Sequence, residues 1–206
     1  TEGVTKLYTT LAQDLMYKDA TRNVIFLDNH DMTRFFTSVR GDVAKQKMGL
    51  MWLLTCRGIP QMYYGTEVLM AGEGNPDGLV RADFLGGWKG DAKNAFTGAG
   101  LSNDEKEVQD LVKKLGSFRL QSSALKTGKF MQYLPEDGLY VYFRYDANQT
   151  IICIMNTSDN NKTVDFKNYT ERTNGFTKAV DVLTNKTFSN QIPVAAKQML
   201  VMQLAK

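Results

Sequence analysis

The chain of 206 residues holds one histidine, two cysteines and four prolines. With His30 alone, a metal centre built on several imidazoles is excluded. Cys56 and Cys153 lie far apart, and neither has a CxxC or Cys/His neighbour. They are expected to be buried free thiols, and they do not fix a redox compartment. No run of 18 apolar residues occurs, so no membrane span is expected. Neither sign of charge dominates. Lys and Arg total 25 against 22 Asp and Glu, a net charge of +3, and the basic residues are scattered, with Lys113-Lys114 the only adjacent pair. Nothing therefore calls for a nucleic-acid or anionic-membrane partner. The start, Thr1-Glu2-Gly3-Val4-Thr5, lacks the charged-then-apolar order of a signal peptide and an initiator methionine. A cut or processed product is expected.

What is present is ordinary for a soluble globular protein: 43% hydrophobic and 23% charged residues. The length allows one large or two small domains. Val4, Leu7, Tyr8, Leu11 and Leu15 fall at helical spacing. Val24 to Asp28 reads as a strand buried on both faces. Arg34 to Gly41 reads as a loop. Asp42 is a plausible N-cap for a helix whose face is Ala44, Met48, Met51, Trp52 and Thr55, ending near Gly58. Ile59 to Tyr64 reads as a second strand, which completes a parallel strand–helix–strand unit. Thr66 to Gly100 is a long loop rich in Gly, Asn and Asp, and loops of that length are usually functional or disordered. Ser102-Asn103-Asp104-Glu105 is a capping box opening a helix with Val108, Leu111, Val112, Leu115 and Phe118 on one face.

After about Ala124 the period changes from helical to alternating. Leu139–Phe143, Ile151–Met155, Val164–Phe166, Ala179–Asp181, Lys186–Phe188 and Met199–Met202 are strand candidates with turn signals between them. Short strands at this spacing suggest an antiparallel sandwich. The expected division is 1–124 for the α/β part and 125–206 for the all-β part. Five Asn-x-Ser/Thr sequons, at Asn148, Asn156, Asn161, Asn168 and Asn185, read as turn chemistry rather than glycan sites.

The chemistry concentrates at Phe26-Leu27-Asp28-Asn29-His30-Asp31, where an apolar run ends in polar, titratable groups. The carboxyl end of a parallel strand is where α/β folds place their reactive residues. This stretch resembles the seventh-strand signature of the α-amylase family, glycoside hydrolase family 13, aromatic–x–x–Asn-His-Asp. Gly58-Ile59-Pro60-Gln61-Met62-Tyr63-Tyr64-Gly65-Thr66-Glu67 is similar to that family's eighth-strand motif. Asn75-Pro76-Asp77, Arg81, Phe84 and Gly86-Gly87-Trp88 resemble the segment lining the non-reducing side of its cleft, and His30-Asp31-Met32-Thr33-Arg34-Phe35 resembles the neopullulanase and cyclomaltodextrinase branch. The resemblance implies the last two strands and helices of a (β/α)8 barrel followed by a β-sandwich. It implies an α-glucan oligosaccharide or polysaccharide as partner, and cleavage of α-1,4 bonds with retention. Asp31 would be the third carboxylate, stabilising the transition state. His30, Asp77, Arg81, Asn29 and Arg34 would be substrate-binding, with Asp77 and Arg81 at the outer subsites. Arg34 would pair with or orient a carboxylate.

Physical reasoning supports such a role for Asp31. Glycoside hydrolysis passes through a positively charged, oxocarbenium-like state, and a fixed carboxylate stabilises that state more than the neutral substrate. Glu67 reads as a structural hydrogen-bonding carboxylate. Tyr63 and Tyr64 read as packing or cleft wall, and Phe84 and Trp88 as sugar platforms or loop packing.

Retention also needs a nucleophile and an acid/base about 5 Å apart. In the resembled family these precede every motif found here, and Arg81-Ala82-Asp83 lacks the apolar strand that a nucleophile segment needs. Two strands cannot close a barrel. The chain alone is therefore expected to be inactive. Its partner would be the remainder of the catalytic domain, or a second copy in a strand-sharing homodimer. No cofactor is expected in this segment, and any calcium ligands would lie in the missing part. Two other readings stay open: an α-glucan transferase of the same family, and a non-catalytic carbohydrate-binding module using Tyr140, Tyr142, Phe143 and Tyr145 of the β-rich half.

Overall fold

A computed structural model describes residues 3–206. In chain order the elements are α1 (Gly3–Leu11), β1 (Val24–Ile25), α2 (Phe35–Ser38), α3 (Val43–Thr55), β2 (Ile59–Pro60), α4 (Asn103–Gln121), α5 (Ser123–Thr127), β3 (Lys129–Gln132), β4 (Leu139–Tyr145), β5 (Thr150–Asn156), β6 (Lys162–Asp165), α6 (Thr170–Thr173), β7 (Lys178–Asp181), β8 (Thr187–Phe188), β9 (Gln191–Val194) and β10 (Gln198–Ala205). The chain forms two compact units. Among the described residues one comprises 3–23, 54–59 and 115–206, the other 24–53 and 60–114.

The first unit is built on an antiparallel six-stranded sheet in the order β3-β4-β5-β10-β7-β8, with a separate pair β6-β9. Register along β4 and β5 sets Phe143 opposite Ile152 and Val141 opposite Ile154. Successive strand side chains point to opposite faces. One face gives Val141, Phe143, Ile152, Ile154, Leu200 and Met202 to a core completed by Val164, Ile192 and Val194 from β6 and β9. This is the sandwich expected from the alternating pattern. Two strands escape a sequence reading. β3 opens on a lysine, and β9 carries Pro193, which is tolerated in a two-stranded pair.

The other face of the sheet carries Tyr140, Tyr142 and Arg144, all fully buried. The Arg144 Nη1 donates to the Thr55 and Cys56 carbonyls at 2.9 and 2.7 Å, and its Nη2 to Gly128 at 3.1 Å. Tyr142 bonds to the Thr55 hydroxyl, and Arg119 caps the Leu54 and Gly58 carbonyls at 2.9 and 3.2 Å. Both cysteines are buried and free, and burial pushes each thiol up to about 12. Tyr140, Tyr142 and Phe143 are therefore no exposed glucan platform; their hydroxyls and rings serve the interior. The sequon at Asn156 is also used internally. Its buried amide donates to the Asn160 and Ala195 carbonyls at 2.8 and 2.9 Å. At the amino end α1 buries Val4 and Leu11, but the helix tightens into a 3₁₀ turn over Ala12–Met16. At three residues per turn Leu15 swings outward, and it is exposed rather than on the expected apolar face.

In the second unit Asp42 caps α3 by accepting from the Lys45 N–H at 3.0 Å. The capping box of α4 closes as its letters require: Ser102 N–H to Glu105 at 2.7 Å, Glu105 N–H to Ser102 Oγ at 3.2 Å. Leu50, Leu69 and Val108 form a core with Leu27, Phe36, Leu111 and Val112 packed against it. The residues expected as loop from Arg34 contain α2, because Asp28 accepts from the Phe35 N–H at 2.8 Å and satisfies a first-turn donor.

The two strands are much shorter than their apolar runs. Asn23 accepts from Ile59 at 2.9 Å, and Ile25 accepts from Gln61 at 2.8 Å. Both donors advance with both acceptors, as in a parallel pair. Val24, Phe26, Ile59 and Tyr64 are exposed, at 51, 43, 52 and 38%. The expectation of a strand buried on both faces is thus corrected. Burial of a parallel strand comes from neighbours on each side, and among the described residues β1 has a single hydrogen-bonded neighbour.

Candidate functional site

Beyond Ile25 the chain leaves the strand and turns. Asp28, 1% exposed, accepts from Phe35 N–H and from Thr66 Oγ1 at 2.8 and 2.9 Å, which pins the strand end from two directions. Asn29 then accepts the Asp31 N–H on its own side chain at 2.9 Å, a local turn that replaces strand pairing. The turn directs His30 and Asp31 outward, with side chains 62 and 65% exposed and His30 Nε2 3.2 Å from Asp31 Oδ2.

Arg81 meets this pair from the 3₁₀ turn Asp77–Arg81. Its Nε donates to the His30 carbonyl at 3.1 Å and its Nη2 to Asp31 Oδ1 at 3.1 Å, while its Nη1 lies 3.0 Å from Asp77 Oδ2 in an ion pair. The guanidinium fork thus joins two carboxylates and one main-chain oxygen, a geometry lysine lacks. Tyrosines carry the turn: Tyr63 Oη donates to the Val80 carbonyl at 3.3 Å, and Tyr64 Oη to that of Ala82 at 2.7 Å. Burial and the Tyr64 hydroxyl push the Tyr63 phenol up.

Four residues singled out by sequence, His30, Asp31, Asp77 and Arg81, therefore form one cluster, with Asn29 behind it. Arg34 is placed elsewhere. It is fully buried, its Nη1 donates to the Tyr64 carbonyl, and its Cζ lies 4.1 and 4.7 Å from the Tyr63 and Tyr64 ring centres. It presents nothing to solvent and supports the two tyrosines from beneath by cation–π contact. Glu67 is partly buried, and burial raises its carboxyl above the usual range, against backbone N–H groups and the nearby Arg34. Phe84 packs edge-on against Tyr64 and Phe96, whereas Trp88 is 67% exposed. Sequence reasoning gave Asp28 no role. Its signal was position, as the first polar residue after an apolar run, with a hydroxyl residue in the second motif to meet it.

Among the described residues no group of three His, Cys, Asp or Glu side chains is arranged to hold a metal, and no helix is long and apolar enough to cross a membrane.

Residues 3–117 match the family described as alpha amylase, catalytic domain, and residues 130–203 match the cyclo-malto-dextrinase C-terminal domain. The cyclomaltodextrin glucanotransferase of Geobacillus stearothermophilus is 32% identical over 142 residues, covering 69% of this chain and 17% of that protein. The cyclomaltodextrinase of Thermoanaerobacter pseudethanolicus is 29% identical over 165 residues, 79% of this chain and 26% of its own length. The chain thus spans a minor part of these relatives. Among solved structures, the alpha-amylase of Geobacillus thermoleovorans, complexed with acarbose, superposes with a TM-score of 0.77 at 22% identity, covering 97% of this chain and 43% of that one. AmyP in complex with maltose gives 0.74 at 19% identity, over 96 and 44%. These likenesses carry the fold: part of a TIM barrel followed by an antiparallel β-domain. The chain belongs to the α-amylase family, glycoside hydrolase family 13, matching its catalytic domain over the first part and a cyclomaltodextrinase-type C-terminal domain over the last.

Proposed function

We propose that this chain is the carboxy-terminal portion of an enzyme acting on α-1,4-glucosidic bonds of starch, pullulan or cyclodextrins with retention. Its barrel and sandwich parts divide near residue 124. Asp31 is the transition-state stabiliser, His30 a sugar ligand, and Asp77 and Arg81 serve outer subsites. Asn29 sets the turn that aims them. The observation that carries this reading is the hydrogen bond from Arg81 to Asp31 Oδ1 at 3.1 Å, with His30 Nε2 3.2 Å from Oδ2, at the mouth of a strand. A carboxylate already oriented needs little reorganisation when positive charge develops on a sugar ring.

Magnitude explains why the remainder of the catalytic domain is required. Two charges 4 Å apart interact by about 1 kcal/mol in water and about 4 kcal/mol at an effective dielectric near 20. Asp31 is mostly exposed in this chain, so its field is screened. A covered cleft must exclude water, and the nucleophile and acid/base must come from the same missing segment. The chain alone is expected to release no product from maltoheptaose.

Relatives include both a cyclomaltodextrinase and glucanotransferases, so chain transfer is the second reading. With the upstream barrel restored, maltotetraose should yield shorter sugars whose new reducing ends appear first as the α-anomer by proton NMR. Initial β-anomer release would overturn retention. Redistribution to longer chains would establish transfer over hydrolysis.

A further inference from the structure

The sandwich holds a cavity of ≈ 320 Å³ lined by Asn161, Asp181, Lys186, Phe188, Pro193 and Gln198, over a floor that includes Val194 and Leu200. None of these residues belongs to the unit that carries Asp31. Local bonds have sorted the polar atoms at its rim. The Asn161 Oδ1 is taken by the Ala196 N–H at 3.0 Å, and the Gln198 Oε1 by that of Ala195 at 2.8 Å. Both amides are thereby oriented, with their NH₂ groups left as donors. The Asp181 Oδ1 holds the Leu183 and Thr184 N–H groups at 2.8 and 2.9 Å, which leaves Oδ2 as an acceptor. The Lys186 ammonium stands 5.0 Å from the Phe188 ring centre.

We infer that this cavity is a pyranose-binding site. One ammonium and one carboxylate give a rim without net charge, which disfavours an ionic ligand and leaves a neutral one. Two amides, a carboxylate and an ammonium supply both donors and acceptors, as a hydroxyl-bearing ring requires. Pro193 offers an apolar surface to the C–H face of such a ring, and Phe188, whose ring face carries the Lys186 ammonium, walls it. Of the sandwich aromatics, Tyr140, Tyr142 and Phe143 are closed off in the interior, and Phe188 lines this cavity. The site binds sugar without chemistry and anchors a glucan chain on the β-domain.

The test is a ¹H–¹⁵N correlation titration of the 206-residue chain with maltose, and with sodium acetate as an ionic control. Expected are saturating shifts in Thr184–Phe188 and Ala195–Gln198, absent with acetate. Phe188→Leu keeps an apolar side chain but removes the ring, and should weaken binding about 5-fold. Gln198→Glu keeps the acceptor for Ala195 but removes the donors, and should weaken it too. Asp31→Asn should leave these shifts unchanged, so loss of the catalytic reading would not touch this one. No saturating maltose shift at these residues, an equal response to acetate, or full binding by both Phe188→Leu and Gln198→Glu would overturn the proposal.

Discussion

Ile151-Ile152-Cys153-Ile154 and Val24-Ile25-Phe26-Leu27 are written in the same alphabet of β-branched and large apolar residues, yet the first four are fully buried while Val24 and Phe26 stand half open. The difference is in the neighbours. β5 is bonded on one edge to β4 and on the other to β10, and its sheet is covered on both faces. Among the described residues β1 has β2 alone. An apolar strand is half of an arrangement, and its partners decide whether its side chains count toward stability. The β-domain carries its own partners. The barrel part carries a strand end with aligned polar groups and apolar strand faces that remain in water.

Substitutions sharpen the contrast. Phe143→Ala should cost about 3–5 kcal/mol in urea unfolding, as removal of a fully buried ring does, whereas Phe26→Ala should stay within about 0.5 kcal/mol. Equal losses would break the comparison. Asp28→Ala should cost about 1–3 kcal/mol, because the Phe35 N–H and the Thr66 hydroxyl lose their acceptor. A neutral result would mean that the turn stands without it.

A smaller effect should appear at Glu67. Its folded carboxyl sits above the ordinary value, so the protonated form is favoured on folding. The associated stability is present below the unfolded value and is lost as pH rises through the folded one. Glu67→Gln should therefore raise the melting temperature at pH 7, and the gain should vanish in acid below the ordinary glutamate range. A gain that grows in acid would contradict the sign. Smallest of all is the thiol response. With both cysteines buried and pushed up to about 12, a disulfide reagent should label neither at pH 8 until denaturant is added. Rapid labelling of Cys153 would mean that the sheet opens.

Local signals were legible in the sequence. Asp42 and the Ser102–Glu105 box act through atoms within three residues, so their letters sufficed. His30 and Asp31 were readable because a sharp change from apolar to polar marks a strand end. Their meeting with Arg81 was readable only through resemblance, since Tyr63 and Tyr64 bring the two segments together. Arg34, expected beside sugar or a carboxylate, is instead buried under Tyr63 and Tyr64, a placement that depends on rings about thirty residues away in sequence. Strand length failed where burial depends on other strands, and β3 and β9 were missed because four residues with a lysine or a proline carry too little alternation.

The most direct test is catalysis by Asp31→Asn in the protein carrying the complete barrel, assayed on maltoheptaose beside its parent. Asparagine keeps the size and one acceptor oxygen but removes the charge. The account predicts that kcat falls by about a thousandfold or more while the protein stays folded. Undiminished kcat would contradict the role of Asp31 as the fixed charge of this site.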